Sequence, residues 1–243
     1  MCGRYAAARD AAEIAEVFSA EQLPEVDLPA RFNIAPTAEV YVVFDDDGTR
    51  AVGTARWGLI PSWSKDASRA SRMINARSET VATKPAYRAA FRRRRCLVPA
   101  DGYYEWQANI VSSKVVKQPF FIYSTDGGPL AMAGLFEDWH GPDGVVRSCA
   151  ILTQDAVGSL TAIHDRMPVF VPANQWGRWL DPSEDDATSV LEAVLAEDRS
   201  LIESGRLLSS YAVSTRVNKP TNDDPALVLP ASPVATDEPL FDA

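Results

Sequence analysis

The residue with the most distinctive chemistry in the sequence is Cys2, which becomes the amino terminus if Met1 is removed. An amino-terminal cysteine carries a thiol and a free α-amine on adjacent carbons, with ordinary pKa values of roughly 8.5 and 7.7–8.0. The amine condenses with an aldehyde to a Schiff base, and the thiolate closes onto the same carbon to form a five-membered thiazolidine. The sequence therefore predicts an aldehyde trap. The alternative is a small residue at a frayed terminus.

Five short segments rich in Gly, Pro, Trp and ionisable residues provide further candidates for chemistry. Loops of such composition are typical of binding and catalytic sites. Taken singly, a loop tryptophan is more often part of a core than a base-stacking surface, and a lone histidine such as His164 is more often a structural hydrogen-bonding group. The segments are residues 31–36, 57–63, 75–80, 101–106 and 164–168.

Charge is distributed unevenly along the 243-residue chain. The formal net charge is −9, which by itself argues against nucleic acid as a partner, because phosphate binding depends on Lys and Arg. Residues 65–95, however, contain ten basic and two acidic residues, a local charge of +8 that leaves −17 on the rest of the chain. This pattern predicts a basic face that holds an anionic polymer, with a solvated helix face as the alternative.

Cysteine and histidine content limits metal and redox chemistry. Cys2, Cys96 and Cys149 are an odd number at wide spacing, which favours reduced thiols over a disulfide framework. With only His140 and His164 besides them, no pair has metal-ligand spacing, so we expect neither a metal nor another cofactor. The chain shows no apolar run of about 18 residues and no leader segment, which predicts a cytoplasmic protein that does not bind membranes.

The periodicity of the sequence predicts an α+β fold. Apolar residues at helical spacing behind Asp10 predict a first helix over residues 10–20. β-branched and aromatic runs then predict a single β-rich domain of mainly antiparallel strands, in a curved or barrel-like sheet system decorated by helices. Strands are expected over residues 39–45, 50–57, 103–107, 119–124, 130–137 and 145–153, and further helices over 78–94, 173–180 and 187–204.

The carboxyl-terminal residues have a different composition from the rest. Prolines occur at positions 220, 225, 230, 233 and 239 among scattered acidic residues. This composition predicts a domain over residues 1–219, followed by a Pro-rich acidic tail over 220–243 that is partly disordered.

Eight short motifs follow one another in a fixed order between residues 1 and 220. They are MCGRY, NIAP, WGLIPSW, NARSET, GYYEW, QPFFIY, ILT and HDRMP. On these motifs the chain resembles the SOS-response-associated peptidase (SRAP) family, whose members are also described as abasic site processing proteins. The resemblance implies a protein of the DNA damage response that senses abasic sites in single-stranded DNA and shields them through a covalent thiazolidine at the processed Cys2. It also implies a peptidase activity that includes removal of the residue preceding this cysteine.

The resemblance assigns roles to individual residues. Cys2 matches the crosslinking nucleophile, and Asn75 matches the asparagine that holds the amino-terminal residue and the sugar. Glu105 and His164 match the acidic and imidazole groups of the family. An imidazole with a pKa of about 6.5 would help to open the cyclic sugar, and a carboxyl would protonate the carbinolamine that must lose water. Phosphate contacts are expected from the forked guanidinium groups, and base stacking from proline and tryptophan. The expected DNA-binding residues are Arg4, Asn33, Pro36, Trp63, Arg77, Trp106 and Arg166.

Three other activities remain open from the sequence. Cys2 and His164 also fit the thiol–imidazole pair of a cysteine peptidase, with Asn75 as an oxyanion donor. A noncovalent single-strand binder would retain Met1. A Schiff-base lyase would cut the strand by β-elimination before the ring closes. The expected partner is single-stranded DNA that contains abasic sites, bound by a monomer that is nucleoid-associated while it is on DNA.

Overall fold

The computed structural model describes residues 2–111 and 114–231, which form two sheets with helices around them. The predicted α+β fold, a single β-rich domain of mainly antiparallel strands in a barrel-like system, is confirmed. The strands are β1 (Tyr5–Ala7), β2 (Arg31–Ile34), β3 (Glu39–Asp46), β4 (Thr49–Trp57), β5 (Asn75–Arg77), β6 (Arg95–Ala100), β7 (Gly102–Val111), β8 (Lys114–Ser124), β9 (Leu130–Gly141), β10 (Gly144–Asp155), β11 (Arg166–Pro168) and β12 (Leu208–Ala212). The α-helices are α1 (Ala11–Phe18), α2 (Arg88–Arg93), α3 (Trp176–Leu180) and α4 (Ala187–Glu203).

The first sheet carries the amino terminus and has the strand order β12-β8-β7-β1-β2. Strand β1 pairs with β7 at two residue pairs, one of which joins Ala6 to Gly102. Tyr104 N then donates to Arg4 O at 3.0 Å. In the described chain, β7 continues beyond this bond with β8 as its neighbour. Glu105, the next residue of β7, therefore lies beside the amino-terminal residues.

The second sheet closes on itself. Its path runs β11-β10-β4-β3-β6-β9, and because β9 also pairs with β10, five strands form a barrel. Both faces of β10 are covered, because alternate side chains of residues 149–152 pack into two different buried clusters, and this explains their continuous apolar run. Strand β10 also pairs in parallel with β5, and this pairing sets Asn75 opposite Ile151.

Helix α1 begins where the sequence predicts. Asp10 accepts a hydrogen bond from Glu13 N, and the Glu13 carboxylate accepts one from Asp10 N, which is a complete capping box. The predicted helix over 187–204 corresponds to α4, and the one over 173–180 to a 3₁₀ turn followed by α3.

The predicted helix over residues 78–94 is wrong. Only Arg88–Arg93 is α-helical, and residues 78–87 consist mainly of turns. Lys84 precedes Pro85, and a residue before proline is disfavoured in the helical region of the backbone. The basic residues of this segment are therefore spread over turns, a short helix and the start of β6.

Cys2 lies in the core where the two sheets meet. It belongs to one buried cluster with Tyr103 of the first sheet and Ile151 of the barrel. Helices α1 and α4 cover the other side of the barrel wall, where Phe18 and Val190 are buried in a separate cluster. Both sheets therefore position the amino-terminal residue.

The segment after β12 covers the outer face of the first sheet. Leu227 is fully buried there, and the Asp223 carboxylate accepts a hydrogen bond from Phe32 N at 2.6 Å. Residues 220–231, the first part of the predicted tail, thus pack onto the domain. Residues 232–243 lie outside the described residues, and the disordered tail stays a prediction.

Candidate active site at the amino terminus

Asn75 anchors the backbone of Cys2. Its Nδ2 donates a 2.7 Å hydrogen bond to the Cys2 carbonyl oxygen. The backbone of Asn75 is itself fixed, because Tyr87 OH donates to its carbonyl at 3.1 Å and β5 pairs with β10. Among the described residues, the buried Oδ1 of Asn75 has no hydrogen-bond partner. Within the described residues, the side-chain amide of Asn75 therefore holds Cys2 through its nitrogen and leaves its oxygen without a hydrogen bond.

The Cys2 side chain is fully buried in this chain, which still includes Met1. Burial raises the pKa of the Cys2 thiol far above its ordinary value, and the nearby Glu105 carboxylate raises it further. The thiol is therefore protonated at neutral pH. Because the thiolate is the reactive form, the site has to provide a group that takes this proton.

Glu105 is the buried acid of the site. It follows Tyr104 in β7 and is only 3% exposed. Burial raises the pKa of its carboxyl above the ordinary value. Glu105 Oε2 lies 3.8 Å from His164 Nε2. A carboxyl with a raised pKa keeps a protonated fraction closer to neutrality, which suits a group that first donates and then accepts a proton.

The imidazole of His164 faces Glu105 on one side and the start of β11 on the other. Its Nδ1 accepts a 2.9 Å hydrogen bond from Arg166 N and lies 2.7 Å from Asp165 Oδ1. These contacts, with Glu105 near Nε2, fix the orientation of the ring between β7 and the start of β11.

An open cavity of about 330 Å³ adjoins the acid and the imidazole. It is lined by Glu105, Trp106, Lys117, His164 and Asn218. Trp106 Nε1 donates to Asn218 Oδ1 at 2.7 Å, which fixes the indole ring at the rim. Lys117 is exposed and supplies a cation suited to phosphate. Glu105 links this cavity to the buried thiol, because it lines the cavity and also perturbs the pKa of the cysteine behind it.

Asn33 and Arg4 form a clamp on the carboxyl-terminal segment. Asn33 is fully buried, and its Oδ1 accepts a 2.8 Å hydrogen bond from Arg4 Nη1. Its Nδ2 donates to the carbonyl oxygens of Val217, Lys219 and Asn222 at 3.2, 3.1 and 2.8 Å. Arg4 Nη1 also donates to Val217 O at 2.9 Å. The side-chain amide of Asn33 is thus engaged within the protein, and DNA contacts by these two residues stay predictions.

Arg166 is nearly buried and lies between two carboxylates. Its Nη1 lies 2.6 Å from both Glu79 Oε1 and Asp155 Oδ1, and its Nη2 donates to Thr153 O at 2.7 Å. The guanidinium charge is therefore balanced within the protein, and a phosphate contact by Arg166 stays a prediction. In this structure the residue supports the site through its backbone, which holds the ring of His164.

Trp63, Arg77 and Pro36 lie within reach of solvent. Trp63 is 68% exposed, although tryptophan is usually a buried residue. Arg77 is exposed and follows Asn75 by two residues in β5, so the two side chains leave the same face of the strand. Pro36 is half-buried, beside Thr37 with its φ of 76°. All three stay candidates for contact with a nucleic-acid strand.

The basic segment is only partly a free surface. Arg95 is buried and donates to Trp179 O at 2.6 Å, and Arg94 pairs with Glu137 at 2.7 Å. The interpretation of the whole run as one basic face is therefore wrong for its end, where Arg95 holds α3 to the barrel and Arg94 pairs with a carboxylate of the barrel strand β9. The exposed cations of the segment are Lys65, Arg69, Arg72, Arg77, Lys84, Arg88, Arg92 and Arg93.

Sequence reasoning missed three residues that the structure places at the site. Lys117 and Asn218 line the cavity, and Glu79 pairs with Arg166. Lys117 could have been found from the pairing of β7 with β8, which places it opposite Ala108. The other two depend on long-range packing and have no local signal.

Metal binding and membrane spanning were also considered. Within residues 2–111 and 114–231, no group of three or more His, Cys, Asp or Glu side chains is arranged to hold a metal ion. No helix in these ranges has the length and apolar character needed to cross a membrane.

Comparison with known proteins gives a consistent result. The family described as SOS response associated peptidase (SRAP) matches residues 1–220. The chain is 35% identical over 233 residues to the abasic site processing protein YoqW of Bacillus subtilis, with 94% of this chain and 99% of that protein covered. It is 33% identical over 204 residues to the abasic site processing protein HMCES of Xenopus tropicalis, with 74% of this chain and 57% of that protein covered.

Solved structures agree with this assignment. A phage-related protein of Bordetella bronchiseptica is 32% identical with a TM-score of 0.67, and covers 88% of this chain and 95% of its own. A protein of Bacteroides thetaiotaomicron shares the fold, with a TM-score of 0.77 at 24% identity over 95% of this chain and all of its own. On the family match and these relatives together, the chain belongs to the SOS response associated peptidase family.

Proposed function

We propose that this protein processes abasic sites in single-stranded DNA by forming a thiazolidine between Cys2 and the opened sugar. The observation that carries the proposal is the 2.7 Å bond from Asn75 Nδ2 to the Cys2 carbonyl, which holds this residue beside the Glu105–His164 pair at the edge of a cavity. Membership of the family and the names of its relatives in Bacillus subtilis and Xenopus tropicalis add support.

The first covalent step requires removal of Met1, which converts the Cys2 nitrogen from a peptide amide into an amine. The abasic sugar is mostly a closed hemiacetal, and His164 assists its opening by moving a proton between the ring oxygen and the hydroxyl at C1′. The amine then attacks the aldehyde carbon to give a carbinolamine. Glu105, whose pKa is raised by burial, donates the proton with which the carbinolamine loses water and becomes an imine.

Ring closure uses the thiol. The imine formed in the previous step is protonated, and the Cys2 sulfur adds to its carbon while the thiol proton leaves to the Glu105 carboxylate that the same step produced. The electron pair of the C=N bond returns to the nitrogen, which keeps its proton. One C–N bond and one C–S bond have formed, and one water has been lost. A thiol whose pKa is raised stays neutral until Glu105 takes its proton, so closure follows imine formation.

Binding of the strand is proposed to use exposed side chains among the expected DNA-binding residues. Arg77 is suited to a phosphate, and the exposed ring of Trp63 to a base, where stacking is worth about 1–3 kcal/mol without reading sequence. The crosslink would shield the lesion during the DNA damage response. We further propose that the protein acts as a cytoplasmic monomer that is nucleoid-associated while it is bound.

A cysteine peptidase receives less support from the geometry. Such an enzyme would use His164 as the base that takes the thiol proton, whereas the charged side chain that perturbs the Cys2 thiol is Glu105, and His164 Nε2 lies 3.8 Å from Glu105 Oε2. Lyase chemistry shares the imine with the crosslinking route. The two outcomes differ in whether the sulfur adds before β-elimination cuts the strand.

Intact-mass spectrometry tests the proposal. The protein is measured before and after incubation with a single-stranded oligonucleotide that carries one abasic site. We expect a starting mass that lacks Met1, and then an adduct equal to protein plus oligonucleotide minus one water. Cys149→Ser is the matched control, because it removes another buried thiol and should leave the adduct unchanged.

Two variants of Cys2 separate the alternatives. Cys2→Ser should form no heat-stable adduct. Cys2→Ala keeps the amine and should shift the reaction toward strand cleavage. A fully processed protein that forms no adduct, or an adduct that survives in Cys2→Ser, would refute the thiazolidine.

A further inference from the structure

Beyond the cavity, β7 and β8 continue as a two-stranded ribbon. The last bond of β7 to β1 is at Tyr104, and β12 pairs with β8 only as far as Phe120. Among the described residues, none after Gln107 and before Gln118 makes a hydrogen bond to another part of the chain. Residues 108–110 and 115–117 are all exposed. The distal half of the ribbon therefore projects from the body of the protein.

The projecting part of the ribbon carries an apolar patch. Ile110 is 82% exposed and Val115 is 68% exposed. Ile110 and Val115 stand directly opposite each other across the two strands. Side chains of this type are normally buried, and two of them exposed side by side indicate a contact surface.

This patch is continuous with the cavity. Side chains alternate between the two faces of a ribbon, so Trp106 and Ile110 lie on one face, and the pairing places Lys117 and Val115 on the same face. Trp106 and Lys117 line the cavity. Four residues separate Trp106 from Ile110, a distance of about 14 Å at ~3.4 Å per residue. That distance is also the length of about four stacked nucleotides.

The charge of the ribbon favours a polyanion. Residues 106–124 contain two lysines and no acidic residue, in a chain that has 33 acidic and 24 basic residues. Of the two lysines, Lys117 lies on the same face as Ile110 and Val115. A surface that combines exposed aliphatic side chains with a cation is complementary to an unpaired strand, which offers base faces and phosphates together.

On the basis of the function proposed above, we propose that Ile110 and Val115 pack against bases of the bound single strand, about four nucleotides from the abasic site. The ribbon then extends the interface along the strand and contacts bases without reading their sequence. It enlarges the area of the protein that contacts DNA. This matters because the exposed basic surface of residues 65–95 is smaller than their content of Lys and Arg indicates.

The test compares affinities on strands of two lengths. The double variant Ile110→Ser/Val115→Ser is made in a Cys2→Ser background, and both oligonucleotides carry a reduced abasic sugar that lacks the aldehyde, so that no imine forms and binding stays reversible. One oligonucleotide extends about ten nucleotides on each side of the abasic site and the other about two, which is too short to reach the patch. Val145→Ser is the matched control, because Val145 is 60% exposed near the start of β10.

We expect the double variant to raise the dissociation constant for the long oligonucleotide about tenfold, which corresponds to ~1.4 kcal/mol. On the short oligonucleotide, the double variant and its parent should bind equally. Val145→Ser should bind both strands as the parent does. The proposal is overturned if the double variant loses the same affinity for both oligonucleotides, or if it loses none for the long one. It is also overturned if Val145→Ser loses as much affinity as the double variant. Unchanged affinity for the long oligonucleotide is also the result expected if the patch docks a protein.

Failure of the proposed function is distinguishable from failure of this inference. If unmodified protein forms no adduct with abasic DNA, the thiazolidine is refuted. The length dependence of reversible binding still decides whether the ribbon contacts the strand, because these measurements use the Cys2→Ser background and need no covalent step.

Discussion

Two buried carboxyl groups of this protein have similar chemistry and different surroundings. Glu105 belongs to β7, and Asp198 lies in the middle of α4. Burial raises the pKa of both, in the case of Asp198 to about 8. The Asp198 carboxyl accepts hydrogen bonds from Gln154 Nε2 at 2.5 Å and from Phe170 N at 3.1 Å. Judged by pKa alone, either group is a candidate general acid.

The difference lies in what each carboxyl can reach. Glu105 lines an open cavity, faces the imidazole of His164 and perturbs the pKa of the Cys2 thiol. Asp198 is fully buried among α4, β10 and the segment that follows β11. A raised pKa therefore marks desolvation, and a catalytic role needs access to substrate and to a nucleophile as well. The following predictions use this contrast.

Replacing Glu105 by glutamine should have the largest effect. Loss of a positioned acid–base group lowers rates by about 10²–10⁴-fold, and we expect the rate of adduct formation to fall within this range. The measurement is single-turnover adduct formation with an abasic oligonucleotide in excess. Asp198→Asn is the control and should keep the rate of the unmodified protein. An equal loss in both variants would show that burial of a carboxyl, and not its access to the cavity, supports the reaction.

Replacing Asp198 by asparagine should change stability and its pH dependence. The carboxyl titrates at about 8 in the folded protein, against 3.8 in a free chain. Its contribution to stability is complete below the lower value and is lost as pH rises through the higher one, because only the folded state retains the proton. The free energy of unfolding of the variant, minus that of the unmodified protein, should grow by about 3 kcal/mol between pH 5 and pH 8.

Urea titrations at both pH values measure this difference. Glu105→Gln is a suitable reference, because its carboxyl is also buried but borders a solvent-filled cavity, and its pH-dependent change should be smaller. A constant difference for Asp198→Asn across the range would mean that the carboxyl is already ionised in the folded protein.

Replacing Glu79 by glutamine should have the smallest effect. Glu79 holds the guanidinium of Arg166, whose backbone N–H in turn fixes the ring of His164. Partly exposed ion pairs contribute about 0.2–1 kcal/mol, so we expect the rate of adduct formation to fall about twofold to fivefold.

The pH profile distinguishes positioning from loss of stability. His164 is surrounded by Glu105, Asp165 and Lys117, and a displaced ring changes its distance to all three. The pH profile of the rate should therefore shift in Glu79→Gln. Glu192→Gln, an exposed substitution in α4, should leave the profile unchanged. A lower melting temperature without a shifted profile would assign Glu79 a purely structural role.

Local sequence patterns predicted the elements that are determined by interactions between residues close together in the chain. The Asp10 cap, the apolar spacing of α1 and the β-branched run of β3 are of this kind. The prediction of a helix over 78–94 is wrong because Pro85 disfavours helical backbone at Lys84, and the helix begins only at Arg88. The predicted strands 103–107 and 119–124 were too short, because cross-strand hydrogen bonds extend β7 and β8 into exposed residues that lack an apolar alternation.

The candidate site was predictable only in part. Motifs indicated Asn75, Glu105 and His164, and the structure brings them together around Cys2. No local pattern indicates that Arg166 pairs with a carboxylate 87 positions earlier in the chain. Which of the 33 acidic residues pairs with Arg166 depends on how β5 and β11 are placed on either side of β10. The packing of the whole barrel determines that placement.

The clamp of Arg4 on Val217 O has a consequence for the order of events in the cell. Chains emerge from the ribosome amino terminus first, at about 5–20 residues per second. The start of the chain is therefore made about 10–40 seconds before the segment that closes over it exists. On the function proposed above, we expect Met1 to be removed during this interval, because the adjoining Cys2 is fully buried in the finished fold. The rate of translation then helps to decide how much of the protein can form a crosslink.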